Sequence, residues 1–542
     1  MNVTAEESLM KGFKTFVILA HRYLGIALSL LIVMWFATGI VMMYAGGMPR
    51  LTSQLRLDRL PALDLSRVRL SPSDAAEHAH GDMTSGRVVL LSVMDRPAYR
   101  FGGGHTTTVF ADSGEVLENV SVEQSRTIAS RFMNVAEDKI DYVRTLTSED
   151  QWTLGQVRQM PLHKFRADDE SRSELYVASR TGEVTVFTTR QSRTLAWMGT
   201  IPHWLYFAAL RTNQPLWYRI VVWTSELACV LAVLGLILGV TQYRRSKPLR
   251  LSLPYSGWMR WHYVTGVVFG LFTLTWAFSG LLSMEPFAWT RATGLDVSRD
   301  ALTGGPVDLS RFAAMDPAAW TRVLGGRGIK EVEFARIQDE HYYVVRQAPD
   351  EQASQARRER LHQPYNVTGS AEPDRVLVAA NTLEIRREPF SVDSLMERLE
   401  AELPDVPIVE SQLLSDYDSY YYSRGRLTPL PVLRVKFADA AQTWVYIDPE
   451  MSQVLAQIHR LNRVERWLYN GLHSLDFSFW YDRRPLWDIG MITLCLGGFA
   501  SSGIGLLLAV KRVRRGVTRT ARSLVVVPPA SEPRNVASGS AQ

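Results

Sequence analysis

Residues His21–Gly39 read HRYLGIALSLLIVMWFATG, and residues His262–Gly280 read HYVTGVVFGLFTLTWAFSG. In both, a glycine follows the histidine by four residues (Gly25, Gly266), a tryptophan by fourteen (Trp35, Trp276) and a second glycine by eighteen (Gly39, Gly280). An apolar run of this length crosses a hydrocarbon layer of about 30 Å as a helix. One apolar pattern written twice, each time opened by an imidazole, predicts two equivalent membrane helices with a titratable group at the same end.

The pattern extends outward. Four stretches are apolar enough to span a membrane: Leu24–Tyr44, Leu216–Val240, Val264–Met284 and Leu486–Val510. The second is preceded by PHWLYFAALRTNQPLWYR and the fourth by GLHSLDFSFWYDRRPLWD. His203 precedes Pro215 by twelve residues, and His473 precedes Pro485 by the same twelve. Eighteen residues past Trp217 and Trp487 stand Gly235 and Gly505. The chain therefore reads as two copies of one plan: helix, outer domain, pre-membrane segment, helix. Each copy starts and ends on one side, so the repeats are expected to be parallel, related by an axis along the membrane normal.

Lysine and arginine near the spans set the orientation. Lys11 and Lys14 precede the first span, YRRSKPLR joins the second to the third, and KRVRRGVTRTAR follows the fourth. These sites share one side and predict cytoplasmic termini, with the two long loops outside. Arg50, Arg211, Arg483 and Arg484 lie near the outer ends and count against this orientation. The first apolar stretch is too long for a signal-peptide core and is expected to stay as an anchor. The net charge of +5 adds little beyond these tails, and nothing points to nucleic acid. Only two cysteines occur, Cys229 and Cys495, both within spans, so the outer domains have neither a disulfide framework nor a cysteine-ligated metal.

The outer loops contain TVFADSGEVLE, ELYVASRTGEVTV, RVLVAANTLEIRR and TWVYIDPEMSQVLAQ, each reading as strand, tight turn and returning strand. Helical stretches such as SVDSLMERLEAEL lie between them. The expected organisation is a cytoplasmic N-terminus (1–12), a first span (13–46), a first outer α+β domain (47–190), an interfacial segment (191–214), a second span (215–243), a cytoplasmic connector (244–258), a third span (259–286), a second outer domain (287–460), an interfacial segment (461–484), a fourth span (485–511) and a basic tail (512–542). The fold class is a mixed membrane protein: a four-helix transmembrane bundle of two parallel repeats plus two outer α+β domains. The segment QAPDEQASQARRERLHQPYNVTGSAEPD reads as a flexible insertion, and the end of the chain beyond Arg522 as disordered.

Four of the eleven histidines occupy matched positions. His21 and His262 lie at the cytoplasmic ends of the first and third spans; His203 and His473 lie at the outer face. Within one copy the two histidines are separated by about 30 Å of helix. Across copies, a two-fold axis brings His21 toward His262 and His203 toward His473. Imidazoles facing across an apolar bundle suit a b-type haem with bis-histidine coordination, two haems in all. The same four histidines are thus both the cofactor-binding and the metal-ligating residues. Gly25 and Gly266, one turn from their histidines, would let the haem face approach the helix backbone, and Arg22, Arg260, Arg211 and Arg466 are candidate propionate partners. Zinc fits less well, because two imidazoles supply half its usual ligands. Trp35 and Trp276 read either as an electron path or as bundle core. Glu226, matched by Leu496 in the other copy, is a functional candidate or a structural hydrogen-bonding group. The histidines His78, His80, His105, His163, His341, His362 and His459 are scattered, and the EHAH stretch (Glu77–His80) reads as solvated.

HRYLGIALSLLIVMWFATGIVMMY, RWHYVTGVVFGLFTLTWAFSGLL and WVYIDPEMSQVLAQIHRLNRVERWLYNGLHSLDF resemble the PepSY-associated transmembrane family. The resemblance implies a bacterial inner-membrane protein with four spans and periplasmic PepSY domains, of the iron-regulated, ferric-siderophore reductase type. It carries the haem-ligand role onto His21, His203, His262 and His473. Asp112 and Asp448 keep the hairpin aspartate of the family, whereas Ala178 and Ala379 replace it. The expected function is passage of electrons from a cytoplasmic reductase or quinol to a ferric siderophore in the periplasm. No G-x-G-x-x-G stretch follows a strand, so the donor is another molecule. The alternative is a non-enzymatic PepSY envelope scaffold or regulatory binding protein without haem.

Overall fold

The computed structural model of the chain describes residues 2–79, 86–102, 106–246, 250–290, 295–313, 315–324, 328–347, 375–423 and 428–525. His80, His105, His362, all but the first residue of the expected flexible insertion, and residues 526–542 lie outside the described residues. In chain order the helices and strands used below begin with α1 (Asn2–Ala45), α2 (Ser53–Arg59), β1 (Val88–Val93), β2 (Arg96–Phe101), β3 (Thr107–Phe110), β4 (Val116–Leu117) and α3 (Val122–Met133). Strands β5 (Ile140–Leu146), β6 (Leu162–Ala167), β7 (Glu174–Ala178) and β8 (Val184–Thr188) follow, then the long helices α4 (Gln214–Thr241) and α5 (Gly257–Leu282). The second loop contributes α6 (Arg299–Thr303), β9 (Ile329–Ile337), β10 (Glu340–Gln347), β11 (Arg375–Ala379), β12 (Ile385–Arg386) and α7 (Val392–Glu402). It continues with β13 (Ile408–Leu414), β14 (Val432–Phe437), β15 (Trp444–Asp448) and β16 (Gln453–Ile458), and α8 (Leu486–Val525) closes the described chain.

Four helices are long and apolar enough to cross a membrane: Met10–Ala45, Gln214–Thr241, Gly257–Leu282 and Leu486–Thr518, with mean hydropathies of 2.4, 2.3, 1.6 and 1.8. No more than 28% of any of these apolar windows is buried inside the protein. Helices that keep most of their apolar surface outward require an apolar surround.

The chain falls into two compact units. The first comprises Met1–Phe36, Glu226–Ala277 and Leu494–Gln542. Small residues set its packing. Gly25 lies against Leu231 of α4; Gly270 of α5 lies against Leu236 of α4; Gly497 of α8 lies against the Phe269 ring; Gly498 of α8 lies against the Phe36 ring. Tyr263 donates its hydroxyl hydrogen to Gly239 O at 2.7 Å. Helix neighbours thus run α1–α4–α5–α8 and back to α1, a closed bundle. Leu28, Ile32, Phe36, Ala228 and Leu231 form its buried cluster.

The second unit comprises Ala37–Ser225 and Phe278–Thr493. It contains two four-stranded sheets, β5-β6-β7-β8 and β13-β14-β15-β16, and one eight-stranded sheet ordered β12-β11-β10-β9-β1-β2-β3-β4. Four strands of the large sheet come from each loop. They join where β1 and β9 pair antiparallel, Val88 opposite Phe334 and Leu91 opposite Glu331. The reading of two separate outer domains did not include this shared sheet. The tight turns Met94–Asp95 and Gln338–Asp339 have positive φ at both residues, the primed geometry that matches strand twist. Alternation along the strands puts Leu90, Tyr99, Val109, Val332, Phe334 and Tyr343 into one core. The tetrapeptide Asp-Leu-Ser-Arg occurs at Asp64–Arg67 and again at Asp308–Arg311, each time five residues after a short helix, α2 or α6. In both, the aspartate Oδ1 accepts the serine backbone N–H at 3.0 Å.

On the other face of the central strand pair, Glu331 and Glu333 are buried. Arg87 donates to Glu331 at 2.7 Å and to Glu333 at 2.8 Å; Arg346 reaches them at 3.0 and 2.7 Å; Arg56 also pairs with Glu331. Arg56 and Arg87 belong to the first loop, so the network ties the two loops together. Burial pushes both carboxyls up, but Arg56, Arg87 and Arg346 around Glu331, and Arg346 and Arg87 around Glu333, outweigh it and hold both below the usual glutamate range. With the folded value below the unfolded one of about 4.3, this stabilisation is complete above about pH 4.3 and is lost as pH falls through the lower folded value. Glu331→Gln should cost about 3–5 kcal/mol at neutral pH by leaving guanidiniums unpaired. Calorimetric melting should show that loss, together with a shallower decline in acid than the parent protein.

Candidate functional site

The first unit brings His21 of α1 and His262 of α5 together, with ring centroids 6.3 Å apart and planes inclined by 37°. Each ring is held from the neighbouring helix. His21 Nδ1 hydrogen-bonds Leu231 O at 3.1 Å, and His262 Nδ1 hydrogen-bonds Ser501 O at 3.1 Å. A carbonyl only accepts, so Nδ1 carries the proton in both rings and Nε2 is the nitrogen with a lone pair. A helical carbonyl is normally screened by the side chain four residues on. Here those residues are Gly235, four after Leu231, and Gly505, four after Ser501. A methyl group at Gly235 would stand 2.9 Å from His21 Cε1, and one at Gly505 would stand 3.2 Å from His262 Cε1. The glycines bare the carbonyl and make room for the ring edge.

The second unit repeats the arrangement with different acceptors. His203 and His473 lie in the short helices Thr200–Trp204 and Leu472–Ser474. Their ring centroids are 6.2 Å apart and their planes inclined by 77°. His203 Nδ1 hydrogen-bonds Thr38 Oγ1 at 3.0 Å, and His473 Nδ1 hydrogen-bonds Ser279 Oγ at 3.0 Å. The next residues are Gly39 and Gly280, whose added methyls would meet His203 Cε1 and His473 Cε1 at 3.6 Å. Trp217 Nε1 donates to Trp204 O at 2.9 Å, and Trp487 Nε1 donates to Ser474 O at 3.0 Å, so each segment is pinned to its following helix in the same way.

All four matched histidines are therefore brought together in the pairs the sequence suggests. Gly235 and Gly505 are the glycines against the His21 and His262 rings; methyls at Gly25 and Gly266 would meet Leu231 and Ser501, at 3.9 and 3.8 Å. The backbone acceptors of Leu231 and Ser501 escape sequence reasoning, since a carbonyl has no residue identity. Thr38 and Ser279 were legible: a hydroxyl residue stands just before the second glycine in both quoted stretches.

Arg466 is 9% exposed at its side chain. It donates to Ser419 O and Asp476 O at 3.0 and 2.9 Å, while its Nη1 is buried without a partner. Arg211 Nε is likewise buried without a partner. Arg22 and Arg260 have no ion pair among the described residues. Trp35 and Trp276 pack against the buried cluster of the first unit, Trp276 edge-on to Phe36 at 5.6 Å. Glu226 makes no hydrogen bond among the described residues, and Thr224 bonds Ile220 O and Val221 O instead. Both cysteines are free thiols. Among the described residues no group of three or more His, Cys, Asp or Glu side chains is placed to hold a metal ion, so a bare tetrahedral ion would lack ligands.

Fold and site together describe a membrane protein of mixed class, with four apolar helices, β-rich loops and two pairs of facing imidazoles. The chain matches the PepSY-associated TM region family over residues 18–512 and belongs to it. No curated protein matches the chain.

Gly235→Ala and Gly505→Ala should overpack the His21 and His262 rings and lower stability by about 1–3 kcal/mol. Gly39→Ala and Gly280→Ala meet their rings at ordinary contact distance and should change it by less than about 1 kcal/mol. Thermal melting of the four purified variants separates these outcomes.

Proposed function

We propose that the chain is a di-haem b electron-transfer protein of the bacterial inner (cytoplasmic) membrane, built from two parallel repeats. Its termini are cytoplasmic and its loops are periplasmic PepSY-like domains. It carries electrons from quinol or a cytoplasmic reductase to ferric siderophores, releasing iron. Each quinol oxidised gives two electrons and two protons and reduces two ferric chelates.

The observation that carries this reading is the near-equal spacing of the two imidazole pairs, 6.3 and 6.2 Å between centroids. One iron held by both imidazoles of a pair would need their ring centres about 6 Å apart, from about 2 Å of metal–nitrogen distance and about 1 Å from nitrogen to ring centre on each side. The donor chemistry agrees. Leu231 O and Ser501 O fix the Nδ1–H tautomer of His21 and His262 and leave Nε2 for a metal, as outer partners of ligating histidines do. Thr38 and Ser279 hold His203 and His473 by hydroxyls, each bonded to the ring Nδ1 at 3.0 Å. The buried, unpartnered Nη1 of Arg466 and Nε of Arg211 suit the carboxylates of such a group. Haem, when bound, supplies one-electron redox chemistry at iron. The chain's own residues hold the imidazoles in register, exclude water through the apolar helices and provide cationic donors at the periphery.

Protein purified from haem-replete cells should show a reduced-minus-oxidised α-band with about two haems per chain. His21→Ala or His262→Ala should remove one haem and spare the other, and His203→Ala or His473→Ala should do the converse. Quinol-reduced protein should yield ferrous iron from a ferric siderophore in a ferrous-trap assay. Colourless protein would overturn the reading and leave a non-enzymatic envelope scaffold. Four variants that each kept both haems would overturn the ligand assignment.

A further inference from the structure

The two loops build one junction twice and finish it differently. In the second loop, the turn Gln338–Asp339 closes onto the end of α6: Gln338 N donates to Leu302 O and Asp339 N to Thr303 O, both at 3.2 Å. Ser452 Oγ adds a bond to Leu302 O at 3.4 Å. Counting back from the Asp-Leu-Ser-Arg tetrapeptides, Leu302 and Thr303 correspond to Asp58 and Arg59, and the turn corresponds to Met94–Asp95. There the turn makes no backbone bond to Arg59 O among the described residues. The end of α2 is drawn instead toward β9, where Lys330 Nζ donates to Leu60 O at 2.6 Å and Leu63 N donates to Ile329 O at 2.8 Å.

The first loop's half of the unit has here a small, solvent-open cleft. Arg56, Arg59, Arg100 and Arg131 line it, against one lining carboxylate, Glu183. Glu183 pairs with Arg100 at 2.9 Å and Arg56 at 3.6 Å, and Asp95 pairs with Arg131. Arg59 has no carboxylate partner among the described residues; its recorded bond is to Met133 O, at 3.4 Å. Arg100 Nε is buried in the wall without a partner. Apart from Ser92 and the glycine Gly182, the rest of the lining is apolar, with Leu60, Val93, Ile128 and Phe132 prominent. Cationic donors at the rim and an apolar wall behind them favour a ligand with one anionic end and an apolar body.

We propose that this cleft binds an organic carboxylate, its anionic end on Arg59 and its apolar body against Ile128 and Phe132. Because Arg56 joins the cleft to Glu331 at the β1–β9 pair, occupancy bears directly on the contact that unites the two loops. The site stands apart from the paired histidines and does not rest on the haem reading.

Calorimetric titration of the full chain in lipid nanodiscs with 3-phenylpropionate tests it, with 3-phenylpropanol and inorganic phosphate as comparison probes. The carboxylate should bind, the neutral alcohol and phosphate should not, and Arg59→Ala should weaken binding by about tenfold or more. Ile128→Trp, which fills the apolar half and leaves every arginine in place, should weaken it similarly. Melting temperature checks that both variants fold. Absence of binding, indifference to both variants, or equal binding of the alcohol would overturn the proposal. Phosphate binding as tightly as the carboxylate would also overturn it, reducing the cleft to a simple anion site. The readout is the same whether the purified protein is coloured or colourless.

Discussion

A helix can hold a foreign imidazole only where it leaves an acceptor uncovered. Leu231 and Ser501 offer such acceptors because the residue one turn on is glycine in both cases. With a side chain at either position the ring edge could not reach the carbonyl. This constraint fixes which nitrogen of His21 and His262 carries the proton and where each ring points, and it brings the two rings to one spacing. Thr38 and Ser279 position His203 and His473 through hydroxyls, again beside glycines. Two different sets of acceptors thus bring the rings of each pair to nearly the same spacing, 6.3 and 6.2 Å.

The β-rich unit obeys a second constraint. A sheet whose two halves come from loops far apart in sequence must specify its central pairing, since a slip of one residue would exchange its two faces. Here the pairing carries Val332 and Phe334 on one side and Glu331 and Glu333 on the other. Three guanidiniums from both loops converge on those two carboxylates. Any other register would leave buried charges unpaired, an error far more costly than a misplaced methyl. The ion network therefore selects an arrangement more than it adds stability, which follows from the weak net worth of buried pairs against hydrophobic replacements.

Matched construction makes the differences informative. The loops share the Asp-Leu-Ser-Arg tetrapeptide, the primed turns and the order of strands, yet one junction is closed by backbone bonds and the other opens into an arginine-lined cleft. Where the same plan is executed twice, departure at one copy points to use more sharply than any single feature read alone.

The sequence by itself determined the four apolar helices, because length and hydropathy suffice to identify a span. It also determined the pairing of histidines, because two matched stretches imply matched depths, and the hairpins, because turn residues punctuate alternating strands. The DLSR tetrapeptide and the Thr38 and Ser279 positions were equally open to reading, since they are literal repeats. Only the tertiary structure decided that Gly235 and Gly505 lie against the His21 and His262 rings: helix spacing identifies residues on one face but not the helix that face meets. Only it showed that β1 finds β9, or that Glu331 and Glu333 are buried rather than solvated. Those facts depend on contacts between residues more than two hundred positions apart, where local pattern carries no information about partner or register.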